Sequence, residues 1–78
     1  MEEKIRRFME ETFLFEFGDE ITTSTDLFKA GVIDSFGYVQ LIHFLDTELQ
    51  VRYSDDEFLS NIMVNFDSLV ASVKAKLG

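Results

Sequence analysis

Tyr38, Leu41, Ile42, Leu45 and Leu49 stand at i, i+3, i+4, i+7 and i+11, and a helix is what brings such a set to one side. Two further stretches repeat the 3.6-residue period. Ile5, Phe8, Met9, Thr12 and Phe13 predict one face of a helix over residues 2 to about 16, and Phe66, Leu69, Val70, Val73 and Leu77 predict another over residues 66 to about 77. Glu2 and Glu3 suit the positive end of the first helix, Glu2–Arg6 and Glu3–Arg7 are favourable i,i+4 pairs, and Gly18-Asp19 stops it. Asn65 is a capping residue type ahead of the last helix, whose negative end carries Lys74 and Lys76. Between them, Ser54-Asp55-Asp56-Glu57 is a Ser-x-x-Glu capping box before Phe58 and Leu59, which predicts a short helix. With no Pro and four Gly in 78 residues, the chain is poorly supplied for a turn-rich β fold. The expectation is an all-α four-helix bundle: a single domain over residues 1–78 with three longer helices, one short one and a long first loop.

That loop covers residues 18 to 34. Thr22-Thr23-Ser24-Thr25-Asp26 is turn chemistry, Leu27 and Phe28 are expected to anchor it to the core, and Gly31 is expected to take a positive φ. Loops this long are uncommon in small domains and are often functional. It runs into Asp34-Ser35-Phe36-Gly37, the start of a helix expected from about Ser35 to Leu49. Ser35 reads first as an N-cap, because Ser side chains accept the orphan N–H groups of a first turn. Gly37 costs that turn roughly 1 kcal/mol relative to Ala. Away from the apolar stripe the same helix carries Phe36, Val39, Gln40, His43, Asp46, Thr47 and Gln50, so Phe36 and Val39 have no claim on the core.

The formal charge is −8, unevenly spread. Lys4, Arg6, Arg7, Lys74 and Lys76 lie near the ends. From Phe8 to Val73 only Lys29 and Arg52 are basic against thirteen Asp and Glu, a local balance of −11. Such a middle argues against nucleic acid or an anionic membrane as partner and favours basic protein surfaces, although a solvated acidic surface needs no partner. There is no cysteine, hence no disulfide and no thiolate metal site. No apolar run reaches membrane-spanning length and no signal peptide is visible, so the expected location is the cytoplasm.

Catalysis within the chain fails on geometry. A nucleophilic Ser35 needs a base within hydrogen-bond reach, and His43, the single histidine, lies about 12 Å further along the helix by axial rise. Asp55-Asp56-Glu57 lacks the alternating ligands and Gly of a calcium loop, and no Gly-rich phosphate loop is present. No metal site and no enzyme activity are expected.

What remains is a serine at a helix start, preceded by an acid and followed by an aromatic. Here the chain resembles the acyl carrier protein family. The family's mark is Asp-Ser-Leu or a close variant at the start of the second helix, and it reads Asp34-Ser35-Phe36 in this chain. Leu27-Phe28-Lys29-Ala30-Gly31-Val32-Ile33-Asp34-Ser35 is similar to the approach common in carrier domains, and the helices after it fall at family-like spacings, so the resemblance covers nearly the whole chain. It implies that Ser35 is esterified by the 4′-phosphopantetheine of coenzyme A, delivered by a separate phosphopantetheinyl transferase. Asp34 then resembles the acid beside the modified serine, and Phe36 matches the apolar residue that contacts the loading enzyme. The thiol would belong to the cofactor, which fits a chain without Cys.

The resemblance further implies an acyl- or aminoacyl-loading enzyme and a downstream transferase or synthase as partners, with the carrier itself a monomer. Where fatty-acid carriers are rich in Glu and Asp, the exposed side of this helix presents Gly37, Gln40, His43 and Thr47, with Asp46 its main acid. Asp-Ser-Phe-Gly is closer to carriers of specialised pathways, such as D-alanyl carrier proteins. Docking through Gly37, Val39, Gln40, His43 and Asp46 is therefore expected to have a large apolar share. Nine Phe suggest a core already filled by rings, and hence small or polar cargo. Two classes of function stand: a phosphopantetheine-bearing carrier of acyl or aminoacyl groups, and an unmodified helical interaction module in which Ser35 is only a cap.

Overall fold

Side chains three and four residues apart can share a face only along a helix, and each predicted stripe lies on one. The computed structural model describes residues 1–60 and 63–78 and holds four α-helices among them: α1 (Glu2–Phe13), α2 (Ser35–Leu49), α3 (Asp55–Ser60) and α4 (Phe66–Leu77). Ile5 and Met9 of α1, Tyr38, Leu41 and Leu45 of α2, and Leu69, Val70 and Val73 of α4 meet in one buried core. Phe17, Leu27, Ile33 and Val51 close it from the connections. α1 and α2 run antiparallel, with Lys4 beside Glu48 at one end and Phe13 beside Gly37 at the other.

The long connection is tied down at Leu27, whose N–H donates to Val64 O at 2.8 Å and whose carbonyl accepts from Val32 and Ile33. Asp26 Oδ1 accepts from Phe28 N and Lys29 N, both at 3.0 Å, and fixes the turn that holds Leu27 inward. Gly31 takes φ +78, as the sequence predicts. The capping box forms reciprocally: Ser54 N donates to Glu57 Oε1 at 2.9 Å, and Glu57 N to Ser54 Oγ at 3.2 Å. Asn65 caps α4 through Ser68 N at 2.8 Å.

Four expectations need correction. α1 stops at Phe13, not near residue 16, because Leu14 adopts the left-handed conformation at φ 56. Leu14 N and Phe15 N both donate to Glu10 O, and the Glu10 carboxylate takes Phe17 N at 2.8 Å. This Schellman-type turn sends Phe17 back onto Phe66, ring centroids 5.1 Å apart. Second, Thr12 and Leu77 are exposed and Leu49 half-buried, because the core narrows towards the helix ends, while Ile42, midway along α2, is half-buried because it borders an open hollow with Tyr53 and Phe58. Third, Glu2 pairs with Lys74 at 2.9 Å, and Arg6 with Glu10 at 3.7 Å, instead of Glu2 with Arg6. Glu2 is drawn to a tertiary neighbour on α4, and Arg6 turns to the other i,i+4 carboxylate of its own helix. Fourth, rings do not fill the core. Of the nine Phe only Phe17 and Phe66 are buried; the centre is Ile, Leu, Val and Met, and most other rings line its edge.

Candidate functional site at the start of α2

The backbone at Asp34 is still extended, with φ −115 and ψ −175. Its carboxylate Oδ1 accepts the hydrogen bond from Gly37 N at 2.8 Å, and its carbonyl accepts from Tyr38 N at 2.9 Å. Asp34 is therefore the N-cap, and Ser35 is the first helical residue. The cap role read for Ser35 is corrected: the helix begins one residue earlier than that reading needs, and the acid takes the orphan donor. Ser35 is exposed, and among the described residues no hydrogen bond engages its hydroxyl.

Beside Ser35 lies a hollow of about 180 Å³, lined by Phe28, Tyr38, Phe58 and Leu59 as well as Ser35 itself. The three rings are graded around Tyr38, with centroids 5.6 Å to Phe28 and 5.4 Å to Phe58. Tyr38 Oη accepts from Met63 N at 3.3 Å. Burial raises the Tyr38 phenol above its usual 10.0, partly offset by that hydrogen bond. The sequence shows Tyr38 as a core residue; that its ring also walls this hollow depends on how α2 faces α3, which periodicity does not specify.

The other candidates separate. Phe36 is 71% exposed and Val39 51%, on the outer side where the sequence placed them. Val39, Gln40 and His43 come together along a groove of about 570 Å³ between α1 and α2. Its floor is the stacked pair Phe8 and Phe44, with centroids 4.1 Å apart. Val39 and His43 also border a second hollow on the α3 side, with Asp46, Arg52 and Tyr53, so they stand on a ridge. Asp46 is half-buried and pairs with the exposed Arg52 at 3.1 Å. Gly37 does not belong to this face. It is buried, and a Cβ there would lie 2.8 Å from Phe13 Cε1, so its smallness lets α1 and α2 approach. Phe8, Thr12 and Phe44 were not foreseen as groove residues. The signal was available in Thr12, a polar residue inside an apolar stripe, and in Phe44, an aromatic off the stripe of α2.

Among the described residues no group of three His, Asp or Glu converges as a metal site requires, and no helix is long and apolar enough to cross a membrane. Comparison with known protein families, with curated proteins and with solved structures finds no match for this chain.

Proposed function

We propose that the chain is a carrier protein, with an acyl-carrier-like bundle, modified at Ser35 by the 4′-phosphopantetheine of coenzyme A and presenting acyl or aminoacyl groups to separate enzymes. The observation that carries this reading is the division of labour at α2. Asp34 does the capping, and among the described residues the exposed Ser35 hydroxyl takes no part in a hydrogen bond. The site suits a phosphoryl substituent, because the first turn of a helix presents positive potential and favours an attached anion. When bound, the arm supplies a thiol on which cargo is held as a thioester and carried between active sites. In loading, Ser35 Oγ would attack the phosphorus that bears the pantetheine arm; the Oγ–P bond would form as the bridging P–O bond breaks, the adenosine 3′,5′-bisphosphate half of the coenzyme would leave, and the hydroxyl proton would pass to a base of the transferase. Asp34, adjacent in the chain, holds its carboxylate beside the same turn, where it can face a transferase-bound magnesium ion.

The partners that follow are a phosphopantetheinyl transferase, a loading enzyme for the acyl or aminoacyl group, and a downstream transferase or synthase. The exposed Phe36 suits contact with the first of these, and the ridge of Val39, Gln40 and His43 suits apolar docking of the others. The interaction-module reading used capping to account for Ser35, and that account passes to Asp34. The test is incubation of the folded chain with coenzyme A, magnesium and several broad-specificity transferases, read by intact mass. A single phosphopantetheinyl increment, absent in Ser35→Ala, is the expected result. A folded wild type that gains nothing from any of them returns the chain to the module class.

A further inference from the structure

The turn that ends α1 needs a left-handed residue at position 14 but does not call for leucine. Leu14 occupies the position after the end of α1 in the left-handed conformation, φ 56 and ψ 56, where glycine is favoured because a Cβ is penalised. Leu14 is 88% exposed, the highest value among the large exposed hydrophobics of the described residues. Its neighbours are committed inward: the Phe13 ring lies against Gly37, and the Phe15 ring is edge-on to Phe17 at 4.8 Å. The charge around Leu14 is one-sided. From residue 8 to residue 28 the sequence has six Asp and Glu and no Lys or Arg. Glu11, Glu16, Asp19 and Glu20 of that stretch are exposed. Arg6, a turn or two back, is occupied by Glu10 and by the Phe17 ring at 5.6 Å.

We propose that Leu14 is a recognition residue for the transferase that modifies Ser35, seated in an apolar socket rimmed by basic side chains; this rests on the carrier reading. The choice of occupant follows from position. Leu14 adjoins Phe13, which touches Gly37 two residues after Ser35, so Leu14 and Ser35 share one end of the bundle. An enzyme that reacts at Ser35 Oγ itself must cover that end. Enzymes that work at the tip of a long arm need not. An apolar knob in an acidic field matches a basic rim around a socket.

The test uses the opposed signs that the two roles give one substitution. Leu14→Gly relieves the backbone and is expected to raise the melting temperature by a few degrees. As a recognition residue, the same change should lower kcat/KM for phosphopantetheinyl loading by about tenfold, through KM with kcat held. Leu14→Asn, which also tolerates the conformation, should behave alike, and Leu14→Met should restore wild-type loading. Unchanged KM in Leu14→Gly and Leu14→Asn would overturn the proposal while leaving the carrier reading intact. So would a concentration-dependent dimer in sedimentation that Leu14→Gly dissolves, since the knob would then serve a second copy. A wild type that never gains mass defeats the carrier reading itself, and this proposal with it.

Discussion

At Asp34 the backbone has not yet turned helical, and its carboxylate reaches forward to Gly37 N at 2.8 Å. One residue later Ser35 lies inside the first turn with its side chain in solvent. Both residue types are good caps, so the sequence by itself cannot allot the task. The backbone at residue 34 decides it, and that is set by Ile33 entering the core and by Leu27 O, which accepts from Ile33 N at 3.2 Å. Stability and loading should therefore separate by residue. Asp34→Ala loses the cap and should cost about 1 kcal/mol. Ser35→Ala, at an exposed first-turn position, should stay within about 0.5 kcal/mol of wild type. Urea midpoints at unchanged m would measure both. Asp34→Asn keeps a capping oxygen but not the charge, so it should hold stability while slowing loading. A larger stability loss in Ser35→Ala than in Asp34→Ala would contradict the assignment of the cap.

Between elements, the approach of α1 to α2 turns on Gly37. Replacing it with Ala gains roughly 1 kcal/mol of helix propensity, but the new Cβ would meet Phe13 Cε1 at 2.8 Å, and overpacking costs roughly 1–3 kcal/mol. Phe13 is itself edge-on to Phe8 at 6.2 Å, so its ring has limited room to retreat. Gly37→Ala should therefore destabilise, and adding Phe13→Leu should recover part of the loss, a coupling that a double-mutant cycle reads directly. Stabilisation by Gly37→Ala alone would mean that the ring yields without cost. At the other side, α3 is fastened to α4 by Glu57 and Lys76 at 2.8 Å. The hydrogen bond from Lys76, and then that from Ser54 N, hold the Glu57 carboxyl below its ordinary 4.5. A lowered folded-state value gives stability that is present above 4.5 and lost as pH falls through the folded value. The melting temperature of Glu57→Gln should thus lie below wild type at neutral pH and converge on it in acid; a gap independent of pH would remove the ion pair as its cause. The three long helices and both local caps were legible because 3.6-residue periodicity and capping chemistry are local. The end of α1 was not, because a left-handed Leu14 contradicts residue preference, and Gly37 looked like a surface glycine because the ring that requires it comes from α1.

For the whole molecule, five of the basic residues are engaged with carboxylates among the described residues: Lys4, Arg6, Arg52, Lys74 and Lys76. These pairs are exposed and individually weak, but they leave a surface that a basic partner meets as acid. The acidic middle was legible in the sequence; that Lys4 and Lys76 reach it at Glu48 and Glu57, and that Lys74 meets Glu2 of the other end, needed the tertiary arrangement. The same holds for the interior. The number of Phe suggested a core filled by rings, whereas the centre is aliphatic and tightly closed, with Ile5, Leu45 and Val73 at 0% exposure. Cargo on an arm from Ser35 would therefore meet the hollow of about 180 Å³ first, one wall of which is the buried ring of Tyr38. A long tail could go further only by displacing Tyr38 from between Phe28 and Phe58 and breaking its hydrogen bond with Met63 N. Dense cores resist such insertion, since overpacking forces side chains from their rotamers. Short acyl or aminoacyl cargo should thus rest at the hollow's mouth, and a long-chain form should keep its tail outside. In NMR spectra of the long-chain form the amides of Leu41 and Leu45 should stay at their unloaded shifts, with an unchanged melting temperature. Shifts at those two amides, together with a rise in melting temperature, would show the tail sheltered within the bundle, and the preference for small cargo would have to be given up.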